Sequence, residues 1–411
     1  MAWREHSMRE ERGEFVRLAL RPGANKSELS RRFGVSRSNG YKWLQRYVAE
    51  GEAGLAERSR QPHTSPRQTR EAVEAAVLAV RARSNGVWGG RKIARVLRNE
   101  GWVVVPAPST VTAILRRHGE LEARASEHPG PYRRFERAQP NELWQMDFKG
   151  HVALARGRCH PLGVLDDHSR YAVGLEACGD EQAATVRDRL TAMFRRYGLP
   201  WAMLMDNGSP WGDAGDQPHT VLTTWLLRLG IAVIHGRPYH PQTQGKQERF
   251  NRTLKAEVLA PSSFRDLVAC QGAFDVWRRV YNHERPHDAL GLATPGERYR
   301  PSARPFPECL PAIEYGPGDS VRKVSENGFI SFKSRRWRIG KAFRSHPIAL
   351  RATALDGVFS VHFCTHRIAT IDLRAGADLA CGFVDNAGLS CGRADNVDAL
   401  STTPQAPHQQ T

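Results

Sequence analysis

Residues Trp201-Ala202-Met203-Leu204-Met205 form an unbroken apolar run of strand length, closed by the turn signal Asp206-Asn207-Gly208. A strand that is apolar on both sides must be covered on both sides, which places it at the centre of an α/β domain. The surrounding pattern agrees. Leu143 to Lys149, Gly163 to Asp167 and Tyr171 to Glu176 read as strands, with His168-Ser169-Arg170 as the turn between the last two. Asp180 to Tyr197 and Val221 to Leu229 read as helices, Ile231 to His235 as a further strand, and a long helix is expected from about Gln244. A three-strand meander followed by alternating helices and strands predicts one α/β domain over residues 138–300.

At 411 residues the chain exceeds one ordinary core, and its flanks follow other patterns. Residues 1–60 read as three helices. Asn25 caps the second, with Glu28 placed for a capping box, and Ser36 caps a third that buries Leu44 and Tyr47. This is helix-turn-helix spacing, and it makes Arg37, Ser38 and Lys42, near the start of the recognition helix, candidate DNA contacts. Gly40 stands where such modules usually carry an apolar residue. Interior glycine costs about 1 kcal/mol relative to alanine, so packing must compensate or the helix frays. A second helical, DNA-binding module is expected over residues 70–120, with helices at Glu71–Arg83, around Ile93, Val96 and Leu97, and after Pro108, and an extended piece at Trp102–Val105. Arg58 to Arg70, Leu121 to Pro140 and Tyr299 to Gly318 read as linkers. Short β-rich pieces between Val321 and Leu373 suggest a small barrel, domain 320–375, and residues 385–411 read as a disordered tail.

Lys and Arg number 60 against 43 acids, a formal net charge of +17, which favours a polyanionic partner. No apolar run approaches the roughly 18 residues of a spanning helix, and the N-terminus lacks the apolar stretch of a secretory signal. A cytoplasmic, nucleoid-associated protein that binds double-stranded DNA and no membrane is therefore expected. Seven scattered cysteines without a Cys-x-x-Cys pair speak against a disulfide framework or zinc site and for free buried thiols.

Asp147 faces away from Trp144, Met146 and Phe148 along its strand, Asp206 follows the carboxyl end of the apolar strand, and Glu248 opens a cationic helix. Taken singly, each acid reads as a surface charge, cap or turn residue. Brought together, three carboxylates repel one another unless cations intervene, and hard oxygen donors suit Mg²⁺ or Mn²⁺, two of which serve phosphodiester chemistry. Glu248, Arg252 and Lys255 share one helix face, which makes Arg252, Lys255 and the neighbouring Lys246 candidate DNA contacts.

Trp144-Gln145-Met146-Asp147, Leu165-Asp166-Asp167-His168-Ser169-Arg170-Tyr171, Asp206-Asn207-Gly208 and His240-Pro241-Gln242-x-x-Gly245-Lys246-x-Glu248-Arg249-Phe250-Asn251 together resemble the integrase core of bacterial insertion-sequence transposases. Tyr281-Asn282-x-x-Arg285-Pro286-His287 and Thr294-Pro295 extend the resemblance, and the helix-turn-helix region is similar to that of the same family. The resemblance implies a ribonuclease-H-like fold, catalytic and metal-binding roles for Asp147, Asp206 and Glu248, two Mg²⁺ or Mn²⁺ ions, cleavage at mobile-element ends, strand transfer into target DNA, and a homo-oligomer on DNA. The 41 residues between Asp206 and Glu248 are more than is usual in the family, and the surplus is assigned to Ser209–Asp216. The His and Cys set of the retroviral zinc module is absent. Asp166 and Asp167 are rivals for a metal role but read as turn organisers, and His240 as a residue shaping the approach to the helix. Two other readings stay open: a catalytically inactive, domesticated DNA-binding regulator, and a metal nuclease that does not recognise element ends.

Overall fold

The computed structural model describes residues 8–58, 69–121, 136–212, 218–236, 245–374 and 382–383, and the chain divides into two compact units, residues 1–68 and 69–411. The sequence-expected linkers near 58–70 and 121–140 and the 209–216 loop lie partly outside the described residues. His240 and the 385–411 tail lie wholly outside them.

The first unit holds helices α1 (Met8–Ala19), α2 (Lys26–Arg32) and α3 (Arg37–Glu50), followed by a 3₁₀ turn at Gly51–Leu55. Asn25 accepts from the Ser27 and Glu28 amides at 3.1 and 3.2 Å, and Ser36 from the Asn39 amide at 3.3 Å, so both N-caps form. Phe15, Val16, Trp43, Leu44 and Leu55 make the core, with Tyr47 only half-buried at its edge. Gly40 has a packing role. A Cβ there would lie 2.7 Å from Phe15 Cζ and 2.9 Å from Ser30 Oγ, so the missing side chain lets α1 and α2 close on the backbone of α3, which runs unbroken.

The second unit begins with α4 (Glu71–Arg83), α5 (Gly90–Asn99) and α6 (Pro108–Arg117), packed around Val77, Val80, Ile93, Leu97, Val111 and Ile114. Trp102–Val105 is a bend rather than a strand. Gly101 ends α5 at φ 82°, and the Trp102 amide returns to the Leu97 carbonyl, which turns the chain and leaves Val103 98% exposed. The three helices rest on the domain that follows, with Asn85 Nδ2 donating to the Glu257 carbonyl at 2.8 Å and Arg91 paired with Asp288 at 3.0 Å.

That domain contains β1 (Trp144–Phe148), β2 (Val152–Ala153), β3 (Arg158–Asp166), β4 (Ala172–Cys178), α7 (Ala183–Tyr197), β5 (Ala202–Met205), α8 (Val221–Arg228), β6 (Ala232–His235), α9 (Gly245–Leu254), α10 (Leu267–His283) and α11 (Pro295–Arg298). The sheet runs in the order β2-β3-β1-β5-β6, with β4 on β3. β3 is antiparallel to β1 and β4, whereas β1, β5 and β6 are parallel. β5 is therefore central and its four residues are buried, as an apolar run requires. Trp144, Met146, Met203 and Met205 pack on one side with residues of α7 and α8, while Leu165 and Leu175 pack on the other with α9 and α10. The helix expected to be long stops at Leu254 and passes into a π turn at Lys255–Leu259. That turn carries Glu257 inward, where it accepts from Trp277 Nε1 at 2.7 Å and pairs with buried Arg285 at 2.9 Å.

The β-rich region comprises β7 (Ser320–Lys323), β8 (Phe329–Phe332), β9 (Arg335–Arg338), β10 (Pro347–Ala352), β11 (Val358–Phe363), β12 (His366–Asp372) and β13 (Gly382–Phe383). Among the described residues these form a five-stranded antiparallel sheet, β13-β12-β11-β10-β7, and a β8–β9 hairpin, the β-rich region that the sequence suggested as a small barrel. Cys159, Cys178 and Cys270 are buried free thiols, but Cys309 is exposed, and the fold brings the Sγ atoms of Cys159 and Cys270 to 3.7 Å.

Candidate active site

The parallel pairing of β1 and β5 sets Trp144 beside Met203 and Gln145 beside Leu204. Continued along both strands, this register brings Asp147 level with Asp206. Alternation turns both side chains to the face that carries α9, away from Met146 and Met205. Asp147 is half-buried and Asp206, just beyond the end of β5, is exposed. Burial and then the nearby Asp206 charge push the Asp147 carboxyl up to about 6, with an opposing hydrogen bond from Asn251.

Helix α9 is fixed over this pair by polar contacts. Asn251 Nδ2 donates to Asp147 Oδ2 at 2.9 Å, and Gln247 Nε2 donates to the Gly163 carbonyl at 3.2 Å. Gly163 lies opposite Asp147 on β3. A Cβ on it would stand 2.6 Å from Gln247 Nε2 and 3.0 Å from the Phe250 ring, so only glycine lets the helix lie this close to the sheet. Glu248 is exposed on the same helix, three residues before Asn251 and so on the same side, one turn nearer the N-terminus. Among the described residues, however, no group of three acids, histidines or cysteines is gathered closely enough to hold a metal ion. Two acids thus stand side by side, and the third is on the helix tied to the first.

The other site residues are distributed as follows. Lys246 directs its ammonium to the buried Asp167 carboxylate, an internal contact rather than a solvent-facing one. Arg252 and Lys255 are exposed, and Lys255 belongs to the π turn. In the N-terminal unit Arg37, Ser38 and Lys42 are exposed on α3. Asp166 and Asp167 are fully buried. Asp166 accepts from the Ser169 amide at 2.8 Å, the Ser169 hydroxyl at 2.5 Å and the Asn141 amide at 2.7 Å; Asp167 accepts from the Arg137 amide at 2.9 Å and Gln145 Nε2 at 2.7 Å.

The chain matches the "Integrase core domain" family over residues 137–241 and a second family of the same description over 229–295. It also matches "Helix-turn-helix domain" at 11–63, "Homeodomain-like domain" at 39–115 and "IS481 family transposase, C-terminal domain" at 319–379. By these matches residues 137–295 form an integrase core of the DDE superfamily, related to bacterial insertion-sequence transposases and retroviral integrases. Among its relatives is an uncharacterized 31.7 kDa protein of insertion element IS407 from Burkholderia multivorans, 29% identical over 38% of this chain and 55% of the relative. Another is a 39.2 kDa protein of insertion element IS476 from Xanthomonas euvesicatoria, 30% identical over 39% of this chain and 44% of the relative. The transposase of IS629 from Shigella sonnei is 24% identical over 40% and 54%. The chain thus spans about half the length of the curated relatives it matches. Solved structures with some likeness include a simian T-cell lymphotropic virus intasome with a PP2A regulatory subunit, at 15% identity, 69% and 91% coverage and a TM-score of 0.37. The HTLV-2 integrase catalytic core with magnesium follows at 16%, 39% and 97% coverage and 0.31.

Within this DDE-superfamily core, sequence reading overlooked Asn251, Gln247 and Gly163. All three stand in or opposite the quoted motifs, but what they touch lies about 85 to 105 residues away in sequence and shows only once α9 is docked.

Proposed function

We propose that this chain is a DNA transposase that binds the ends of a mobile element, cleaves phosphodiester bonds there and joins the freed ends to target DNA, using Asp147, Asp206 and Glu248. The observation that carries this reading is the register of Asp147 beside Asp206, with Asp147 pushed up to about 6 by burial and by its neighbour's charge. Two hard oxygen donors whose repulsion is unrelieved suit a divalent cation such as Mg²⁺ or Mn²⁺. The chemistry such ions supply, when bound, is activation of the attacking oxygen and stabilisation of the leaving oxygen. Asp147 and Asp206 would hold them, with Glu248 completing the set from α9. Asn251 orients Asp147 by occupying its Oδ2. Exposed Arg252 and Lys255, farther along α9 and in the π turn, would receive phosphates beside the cut. On the N-terminal unit, Arg37, Ser38 and Lys42 would face the groove of the element end. Holding two ends at once calls for more than one copy of the chain on DNA, inside a bacterial cell and off the membrane; among the described residues no helix is long and apolar enough to cross one.

The test is cleavage of duplexes carrying the element ends, beside random duplexes, with Mg²⁺ or Mn²⁺ present. Asp147→Asn, Asp206→Asn and Glu248→Gln should each lower cleavage at least about 10²- to 10³-fold while leaving the chain folded and its DNA affinity nearly unchanged. A single variant that cuts at near wild-type rate removes that residue from the site. Binding without cutting by the wild type would favour the regulator, and equal cutting of random DNA the unspecific nuclease.

A further inference from the structure

Two thiols to which the proposed function gives no task face each other inside the core. Cys159 is the second residue of β3 and Cys270 the fourth of α10, 111 positions apart, and both are fully buried. Their Sγ atoms are 3.7 Å apart. The approach is held from outside the pair. Ala155 N donates to the Phe264 carbonyl at 2.9 Å and Arg156 N to the Arg265 carbonyl at 3.2 Å, so the β2–β3 connection is tied to the residues that lead into α10. Cys178 on β4 is buried too, but it packs into the other cluster, with residues of α7.

A disulfide needs its sulfurs at about 2.05 Å, so each Sγ has to travel roughly 0.8 Å, a shift that small side-chain rotations supply without moving β3 or α10. The two thiols are unlike. The sulfur–sulfur hydrogen bond holds the Cys270 thiol below its ordinary value and pushes that of Cys159 up, and the amides opening α10 favour negative charge on Cys270 as well. Cys270 is thus the attacking sulfur and Cys159 the resolving one. Both stand near the ends of their elements, where local opening admits a small oxidant. A bond between them closes a loop that contains Asp206 and Glu248. It joins β3, which carries Gly163, to α10, whose Trp277 and Tyr281 rings meet Phe250 of α9 at 5.4 and 5.1 Å.

We infer that Cys159 and Cys270 form an oxidation site that hydrogen peroxide converts into an intramolecular disulfide, a staple between the sheet and α10. The Cys270 thiolate attacks one peroxide oxygen: an Sγ–O bond forms, the O–O bond breaks, and the leaving hydroxide takes up the proton that Cys270 gave, as water. Cys159 then attacks the sulfenic sulfur. The Sγ–Sγ bond forms, the S–O bond breaks, and the departing hydroxide takes the Cys159 proton as a second water. Two thiols lose two electrons in all, and the peroxide gains them. The staple acts on the stability of the core and not on its acids, so it stands whether or not the chain cuts DNA.

The experiment treats the full reduced chain with a small excess of hydrogen peroxide, quenches it, blocks remaining thiols in denaturant and maps the links by mass spectrometry. The expected product joins tryptic peptides 159–170 and 266–278, which hold these two cysteines one each, and dithiothreitol reverses it. Its melting midpoint should lie roughly 5–10 °C above that of the reduced chain, because a long closed loop restricts the unfolded state. Cys159→Ala and Cys270→Ala should each lose the link and the gain in melting, and Cys178→Ala should keep both. Dimedone should trap a sulfenic acid on Cys270 in Cys159→Ala. Peroxide that leaves both thiols free in the folded chain overturns the inference, as does oxidation of Cys270 to sulfinic acid without the link, or links formed between copies through exposed Cys309. A link that forms without raising the midpoint overturns the staple. These readings come from the wild type, so they decide the matter even where a variant folds poorly.

Discussion

Asp166 and Asp167, at the end of β3, are fully buried and each accepts from three donor groups, whereas Asp147 and Asp206, on the two neighbouring strands β1 and β5, stand side by side with far fewer. The amides and hydroxyl around Asp166 belong to the turn Asp166–Arg170 and to Asn141, so this carboxylate ties the β3–β4 corner to the start of β1. Asp167 is held by Gln145 from β1 and by the Lys246 ammonium from α9. Burial raises the Asp166 carboxyl even so, because removal from water outweighs its donors. At Asp147 the same burial meets a second negative charge and one side-chain donor. Within one domain, acids surrounded by donors have a structural task, and the acids left facing each other are the ones to which we assign a cation in the proposed function.

This contrast is open to attack at three strengths. The largest effect is expected at the saturated pair: Asp167→Ala strands a part-buried ammonium on Lys246 and the Gln145 amide, and should cost about 3–5 kcal/mol in denaturant unfolding. An Asp167→Ala chain that melts like wild type would erase the distinction, since the donors around Asp167 would then hold nothing. Next is the pH response of the metal-free chain. Asp147 has its folded value raised to about 6 from 3.8, so the folded state binds its proton more tightly than the unfolded state. Its charge therefore costs stability progressively as pH rises from about 4 to just above 6, by roughly 3 kcal/mol in all, with little further change above. Asp147→Asn should remove that slope, and Mg²⁺ should stabilise the wild type at pH 7 more than the variant. A slope that survives Asp147→Asn belongs to another group. The smallest effect concerns Asn251. Asn251→Ala removes the hydrogen bond that lowers the Asp147 carboxyl, so the midpoint of the same transition should move upward while unfolding free energy at pH 7 falls by about 1 kcal/mol. An unmoved midpoint would show that Asn251 does not act through Asp147.

Much of this core could be read along the chain. Helices α2, α3, α4, α7 and α8 and strands β1, β5 and β6 have boundaries set by local signals: caps at Asn25 and Ser36, apolar periodicity, and the turn after Asp206. Where expectation and structure part, a contact distant in sequence decides. Trp102–Val105 has strand composition but no strand to pair with, and the glycine turn at Gly101 directs it into solvent. The helix after Gly245 is interrupted at Lys255 as Glu257 turns in to meet Trp277 and Arg285, twenty and more residues on. Gly40 was readable only as an irregularity until Phe15 and Ser30 were found against it.

The sequence by itself determined the classes of element, the division into helical, α/β and β-rich regions, the cationic character, and the three acids with motifs around them, because periodicity, caps and residue types act within a few residues of the chain. The tertiary structure alone decided which acids are neighbours. Asp147 and Asp206 are 59 positions apart and meet through the β1–β5 register, whereas Asp166 and Asp167, adjacent to each other and as acidic, are enclosed by donors from four other segments. A carboxylate's task depends on how much water and how many donors surround it, and those come from strands and helices that folding brings alongside it.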